Sequence, residues 1–287
     1  MCPNTSNTVI VTQEDGVVCN HSISLEGLTH CNHERADTHI FLHPKHTAAD
    51  GNNTIMSKAS DTDVLVISVS ALLILRDLGV EKLWVAFGQE QKKWILINDR
   101  SPSIGLEKSI CLLFIHAFTG CDVVSAYHGK GEKTAWHTWN AWPEASTVFR
   151  KLSQYPPVLG KDDQSILEKF VVIMYDISIA TKNRSYDSSP SPPPTTQAAL
   201  ILHSKRAAFQ AVCIWGQETT IFQMETKSLA YWGWKKQDDI WQMFWTVFPP
   251  IAQSCQQPMK SGCKTEFRGS FLGYICVAAI AAATIYS

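Results

Sequence analysis

Short apolar runs alternate with mixed polar stretches along the first half of the chain, and their spacing predicts a series of strands and helices. Thr8–Cys19 (TVIVTQEDGVVC) consists of two β-rich runs around the turn-forming Glu14-Asp15-Gly16, the pattern of a small hairpin. Ala36 to about Leu42 reads as a short helix, and Thr54–Ser57 and Val64–Val69 read as apolar strands of the buried, parallel kind. Ala71–Leu78 reads as a helix closed by Gly79. Leu83–Phe87 and Trp94–Ile97 read as further strands, and Leu106–Phe118 as an apolar helix running into Thr119-Gly120-Cys121-Asp122. Strands alternating with helices predict an α/β fold with a mainly parallel sheet.

Farther along, Ile166, Leu167, Phe170, Val171 and Met174 recur at helical spacing within residues 144–182, so a helical second half is expected. Ser185–Thr196 (SYDSSPSPPPTT) interrupts it with prolines among serines and threonines, the composition of a linker. Gln197–Trp215 resumes as a helix. Tyr231–Trp245 is dense in tryptophan (Trp232, Trp234, Trp241, Trp245), a density read as packing rather than as a base-stacking platform. Phe271–Ile285 carries no charge, is rich in alanine and follows Lys260, Lys264 and Arg268. It invites a tail-anchor reading, set against a length short of the roughly 20 apolar residues that a span needs.

Composition narrows the classes. The chain has 287 residues, a formal net charge of −1, 45% hydrophobic and 18% charged residues, which excludes collagen-like, coiled-coil and wholly disordered proteins. Near-neutral charge also means that any nucleic-acid partner must be held by a local site. The opening MCPNTSNTVIVTQEDG has neither a basic start nor an apolar run, so an intracellular location, nuclear or cytoplasmic, is expected. Nine cysteines without a CxxC pair point to free thiols rather than a disulfide framework or zinc ribbon.

Chemistry concentrates in four short motifs in order: Glu34-Arg35-Ala36-Asp37, Asp61-Thr62-Asp63, Thr119-Gly120-Cys121-Asp122 and Gly129-Lys130-Gly131-Glu132-Lys133. Asp61 and Asp63 lie between two apolar runs, and in an open α/β sheet ligands gather at the carboxyl ends of strands. Asp37, Asp61, Asp63 and Asp122 converging there would repel one another unless cations sat among them. Oxygen ligands of this type suit Mg2+ or Mn2+, which act in pairs in phosphodiester hydrolysis.

The ordered set E-x-A-D, S-D-T-D-V, T-G-C-D and G-x-G-x-K-x-A resembles the internal half of flap-endonuclease (XPG-type) 5′ nucleases of the PIN-like superfamily. It resembles still more a group of uncharacterised animal proteins with HEEADT, SDTDV, LTGCDT and GKGK motifs. The likeness is specific over about His33–Trp139 and continues loosely through PPTTQAALILHSKRAAFQA and Trp232-Gly233-Trp234. It implies a PIN-like three-layer domain with a helix-hairpin-helix-like element, followed by a mostly helical region. It further implies metal ligation by Asp37, Asp61, Asp63 and Asp122, with Glu34 beside them, and catalysis by those four aspartates. Gly129 and Gly131 match the hairpin glycines whose amides hold a duplex backbone, with Lys130 and Lys133 adding positive charge. Branched or duplex DNA is the implied partner, and Mg2+- or Mn2+-dependent hydrolysis of DNA or RNA the implied activity.

Two departures point to a second class. Arg35 stands where the family has the first carboxylate of its E-A-E/D element, with Glu34 one residue early. The family's further metal-binding aspartates, one of them ending its first strand, have no counterpart before Glu34, as in an N-terminally truncated copy. These departures imply a catalytically inactive, nucleic-acid-binding or structural remnant of a mobile-element-like family. A third class, a membrane-tethered protein, rests on 271–287. The expected organisation is a PIN-like domain over 1–140, a helical extension over 141–184, the linker 185–196, a tryptophan-rich helical region 197–270 and the apolar tail 271–287. Two rival sites are set beside the carboxylates. His39, His43 and His46, with His30, Cys31 and His33, have spacing that could ligate zinc, but Pro44 is expected to interrupt their helix. Cys121 with His116 or His128 could form a nucleophilic pair, though a buried thiol is the expected role of Cys121.

Overall fold

Ile10–Gln13 (β1) and Gly16–Cys19 (β2) pair antiparallel, with Gln13 opposite Gly16, as the alternation of Thr8–Cys19 predicts. This is a computed structural model, and it describes residues 7–13, 16–28, 36–88, 93–177, 196–217, 219 and 228–245. Glu34 and Arg35, nearly all of the linker, and the tail 271–287 lie outside the described residues.

The helical expectation at Ala36–Leu42 is met by two helices, α1 (Ala36–His39) and α2 (Leu42–Ala49). Pro44 does not interrupt α2. It stands in the first turn, where its missing N–H would find no helical acceptor, and its side chain is buried. The strand expected at Val64–Val69 is instead the start of α3 (Thr62–Asp77), continuous with the helix expected at Ala71–Leu78. The run is β-branched and reads locally as strand. However, Asp61 caps the helix, and Val64, Ile67, Ser68, Ala71, Leu72 and Leu75 form one buried face at helical spacing.

The central sheet has the order β3 (Thr54–Ala59), β4 (Lys82–Phe87), β5 (Lys93–Leu96). β3 and β4 are parallel, with α3 as the crossover helix, and Ile55 lies opposite Leu83. β5 pairs antiparallel to β4, so the sheet is mixed rather than mainly parallel. The interval from Phe87 to Lys93 explains this, because a parallel return needs a crossover of a dozen or more residues. Trp94 on β5 is exposed, so that strand is not the buried one expected. A short helix, α4 (Ile97–Ile104), follows β5 without having been signalled by periodicity.

The core is organised around α5 (Leu106–Thr119), whose residues from Leu113 to Thr119 are all buried. α5 packs against α3 and α4, and against α6 (Glu132–Ala141), α7 (Ser146–Leu152) and α9 (Gln197–Ala208). α8 (Lys161–Tyr175) packs on α6, α7 and α9. Phe114, Phe118, Phe149 and Phe170 stack ring on ring between these helices, with Trp139 at the edge of Phe149. Each such ring buried contributes about 1.5 to 3 kcal/mol from apolar transfer. A single hydrophobic cluster runs from Phe41 to Trp232, so it crosses the boundary drawn at residue 140.

After α9 the backbone widens into a π-helical turn, Phe209–Ile214. The segment Tyr231–Trp245 departs from the helical expectation. It carries the end of a 3-10 turn, Leu229–Trp232, and then a hairpin of β6 (Trp234–Gln237) and β7 (Ile240–Met243). Asp238 and Asp239 form the hairpin turn with φ of 50° and 62°, the paired left-handed conformation that suits a two-residue turn and that aspartate tolerates. The packing reading of the tryptophans holds for Trp232, which is buried, but Trp241 and Trp245 are exposed. Among the described residues no helix is long and apolar enough to cross a membrane.

Candidate functional site

Asp61 stands two residues beyond the carboxyl end of β3, the place in an α/β unit where ligand groups gather. Its backbone is extended, and its Oδ1 accepts a 3.0 Å hydrogen bond from the Asp63 amide, so it caps α3. Asp63, in the first turn of α3, turns inward instead. His116 Nε2 on α5 lies 2.8 Å from Asp63 Oδ1. The other ring nitrogen, Nδ1, meets Glu132 Oε1 in the first turn of α6.

An imidazole with a carboxylate on each nitrogen is held doubly protonated. Burial opposes the charge on His116, but the hydrogen bonds to Asp63 and Glu132 outweigh it and raise the pKa to about 9. The same bond to His116 holds the Glu132 carboxyl below its ordinary pKa. His116 is 5% exposed, and the Trp215 ring covers it at a centroid distance of 5.2 Å. The set is a clamp tying the start of α3, through the middle of the core, to the start of α6.

Between α5 and α6 the chain makes two tight turns, each closed by an isolated β-bridge, Cys121 with Val124 and Tyr127 with Lys130. Gly120 ends α5 at φ 119°, and a Cβ there would lie 2.7 Å from Ala126 Cα, so only glycine fits. Cys121 and Val124 exchange backbone hydrogen bonds of 2.9 and 3.1 Å, and the Lys130 amide donates to the Tyr127 carbonyl at 3.0 Å across Gly129. Gly129 takes φ 66°, and Gly131 caps α6 in extended backbone. Tyr175 Oη donates to the His128 carbonyl at 3.2 Å, and its ring sits under Lys130 Nζ at 5.3 Å. Tyr127 packs against Phe118 and His203. Gly129, Gly131 and Lys133 are exposed along this edge, with Lys130 half-buried.

The aspartates expected to gather are distributed as follows. Asp61 and Asp63 share the β3–α3 junction, Asp122 occupies the exposed turn after α5, and Asp37 contributes backbone to α1 with its side chain outside what is described. Glu34 is outside the described residues. Among the described residues no group of three or more His, Cys, Asp or Glu is placed to hold a metal ion. The two aspartates at the β3–α3 junction already have partners. Asp61 is spent in part on a helix cap, and Asp63 faces an imidazolium that would compete with a metal cation.

Of the rival sites, His30, Cys31 and His33 lie outside the described residues. His116 pairs with Asp63 and Glu132, not with Cys121. His43 Nε2 faces Thr12 Oγ1 at 3.2 Å, and His46 Nε2 faces the Ser24 carbonyl at 2.9 Å, so these histidines address separate partners. Burial pushes the thiols of Cys111 up to about 11 and of Cys213 up to about 12, and both stay protonated as free cysteines. Sequence reasoning missed Glu132 and the role of His116. The one available signal was a histidine inside the apolar run Ile115–Phe118, where a charge needs partners.

The class defined so far is an α/β protein with a mixed three-stranded sheet. The chain matches no family model, no curated protein and no solved structure.

Proposed function

We propose that this chain is a nuclease-like protein that grips a nucleic-acid backbone through residues 129–133, its acidic pair having passed from metal binding to holding that segment in place. The observation that carries the reading is the inward tie of Glu132 to His116. It pairs the one carboxylate in the first turn of α6 with a cation, beside the exposed Gly129, Gly131 and Lys133 and the half-buried Lys130. Exposed amides at a helix start and nearby lysines are the groups that engage phosphates without reading sequence. The resemblance to the helix-hairpin-helix of 5′ nucleases supports the same use.

The competing reading is an active Mg2+- or Mn2+-dependent nuclease acting through Asp37, Asp61, Asp63 and Asp122. It draws on the position of Asp61 at the carboxyl end of β3. One experiment separates them. Full-length protein is titrated into labelled duplex and flap DNA at several salt concentrations, and the same substrates are incubated with Mn2+. Binding that weakens with salt is expected, without cleavage, and Lys133→Ala should reduce the salt slope by about 1. Cleavage that disappears in Asp61→Asn would restore the metal nuclease, and absence of binding to any nucleic acid would sink both.

A further inference from the structure

The two faces of the central sheet are unlike. Side chains alternate along a strand and cross-strand partners share a face, so Met56, Trp84 and Leu96 stand in one row and Lys58, Ala86 and Trp94 in the next, with Thr54 and Lys82 before them. The opposite face carries Ile55, Leu83, Val85 and Ile95, all of which pack into the hydrophobic cluster. The half-buried Trp84 and Leu96 take no part in that cluster, and Ala86, 1% exposed between Lys58 and Trp94, is also outside it. Met56 and Trp94 are 62% and 53% exposed. The helices that touch the sheet support the same division, since α2 and α4 both pack on α3, whose apolar face belongs to the cluster.

Charge says what this open face would take. The three strands contain Lys58, Lys82 and Lys93 and no aspartate or glutamate, in a chain whose net charge is −1. Lys58 and Lys82 stand on the open face, at opposite ends of the row that holds Met56 and Trp84. Both are exposed, and among the described residues neither enters an ion pair. Trp84 and Trp94 lie on a diagonal of the β4–β5 ladder, about 7 to 8 Å apart. We propose that this face binds single-stranded nucleic acid, with neighbouring bases lying on Trp84 and Trp94 and phosphates on Lys58 and Lys82. Aromatic rings take any base by its face, and a duplex keeps those faces within its own stack, so the ligand is an unpaired strand. Lysine neutralises phosphates but is depleted in protein–protein interfaces, so the pairing of tryptophan with lysine favours nucleic acid over a protein partner. The site goes beyond the reading of 129–133, with which it shares no residue.

Fluorescence anisotropy of labelled oligothymidine and oligouridine, titrated with full-length protein at several salt concentrations, tests the face. Trp94→Leu keeps an apolar side chain but removes the ring, and should weaken binding about tenfold with its salt slope and thermal unfolding unchanged. Trp94→Phe, which restores a ring, should keep most of the affinity. Lys58→Ala and Lys82→Ala should each reduce the salt slope by about 0.7. The tighter of the two oligomers assigns the face to DNA or to RNA. Absence of binding to both overturns the proposal, as does an affinity that is the same in Trp94→Leu as in the wild type. Equal losses in Trp94→Leu and Trp94→Phe also overturn it, because stacking would then carry nothing. So does a wild-type dimer in sedimentation that Trp94→Leu dissociates, since a second copy would then cover the face. Lys133→Ala separates the two sites: binding that responds to Lys133 and not to Trp94 keeps the reading of 129–133 and sinks the sheet face, and the converse pattern does the reverse.

Discussion

At the start of α3 the buried His116 meets partners of opposite charge, the nearly buried Asp63 on one ring nitrogen and the half-exposed Glu132 on the other. Around Arg206 three buried donor atoms, Arg206 Nε, Gln210 Nε2 and Trp232 Nε1, have no acceptor, and among the described residues no carboxylate is paired with the guanidinium. The first arrangement is complete in itself and behaves as structure. The second leaves donors without acceptors. The contrast teaches that what burial of polar groups costs depends on whether their hydrogen bonds and charges close.

The largest expected effect comes from breaking the closed set. His116→Ala strands Asp63, whose side chain is 14% exposed, and leaves a void under Trp215. It should lower stability by about 3 kcal/mol in urea denaturation. Trp232→Phe, in the open set, should change stability by less than about 1 kcal/mol, and can raise it, because it removes an unsatisfied donor. Equal losses in the two variants would erase the distinction drawn between the regions.

Two histidines extend the comparison to pH. His116 has a folded pKa of about 9, above its unfolded 6.5, so its contribution is fully present below pH 6.5 and is lost as pH rises through 9. His203 is buried beside Phe118 with its pKa lowered to about 4, burial being the main cause and the Arg206 charge a lesser one. For His203 the unfolded chain takes up the proton first, so its contribution is present above pH 6.5 and is lost as pH falls toward 4. Stability should therefore peak near pH 6.5, with each limb on the order of 3 kcal/mol from its extreme. Chemical denaturation across pH 4–9 measures the dome. In His116→Gln the alkaline limb should flatten while the acid limb stays, and a variant with both limbs unchanged would refute the assignment.

How much of this was visible in the chain depends on where the information lies. The β1–β2 hairpin, β3, β4 and α5 are visible because their patterns are local. Val64–Val69 misleads because a β-branched run carries no period of its own, and only the cap at Asp61 and the buried face through Leu75 reveal the helix. Asp61, Asp63 and the hairpin glycines stand out as motifs, but the use of Asp63 does not, since its partner His116 is 53 residues away. Arg206, Gln210 and Trp232 had no motif to announce them. A donor without an acceptor is a property of packing, and neither spacing nor composition encodes it.

The smallest effect is the sharpest test of the closed set, because it alters one bond and no volume. Glu132→Gln keeps a hydrogen-bonding group beside His116 Nδ1 but removes a charge that is 56% exposed. Solvent screens that charge, so the stability loss at pH 6 should stay below about 1 kcal/mol. Asp63→Asn, at the more buried end of the same imidazole, should cost more than Glu132→Gln in the same assay. Both variants lose a carboxylate that holds the imidazolium charged, so the His116 titration, followed by its ring proton resonances, should move down from about 9 in each. An unmoved titration in Glu132→Gln would mean that His116 draws its charge from Asp63 alone, and the tie between the acidic junction and α6 would then be steric rather than electrostatic.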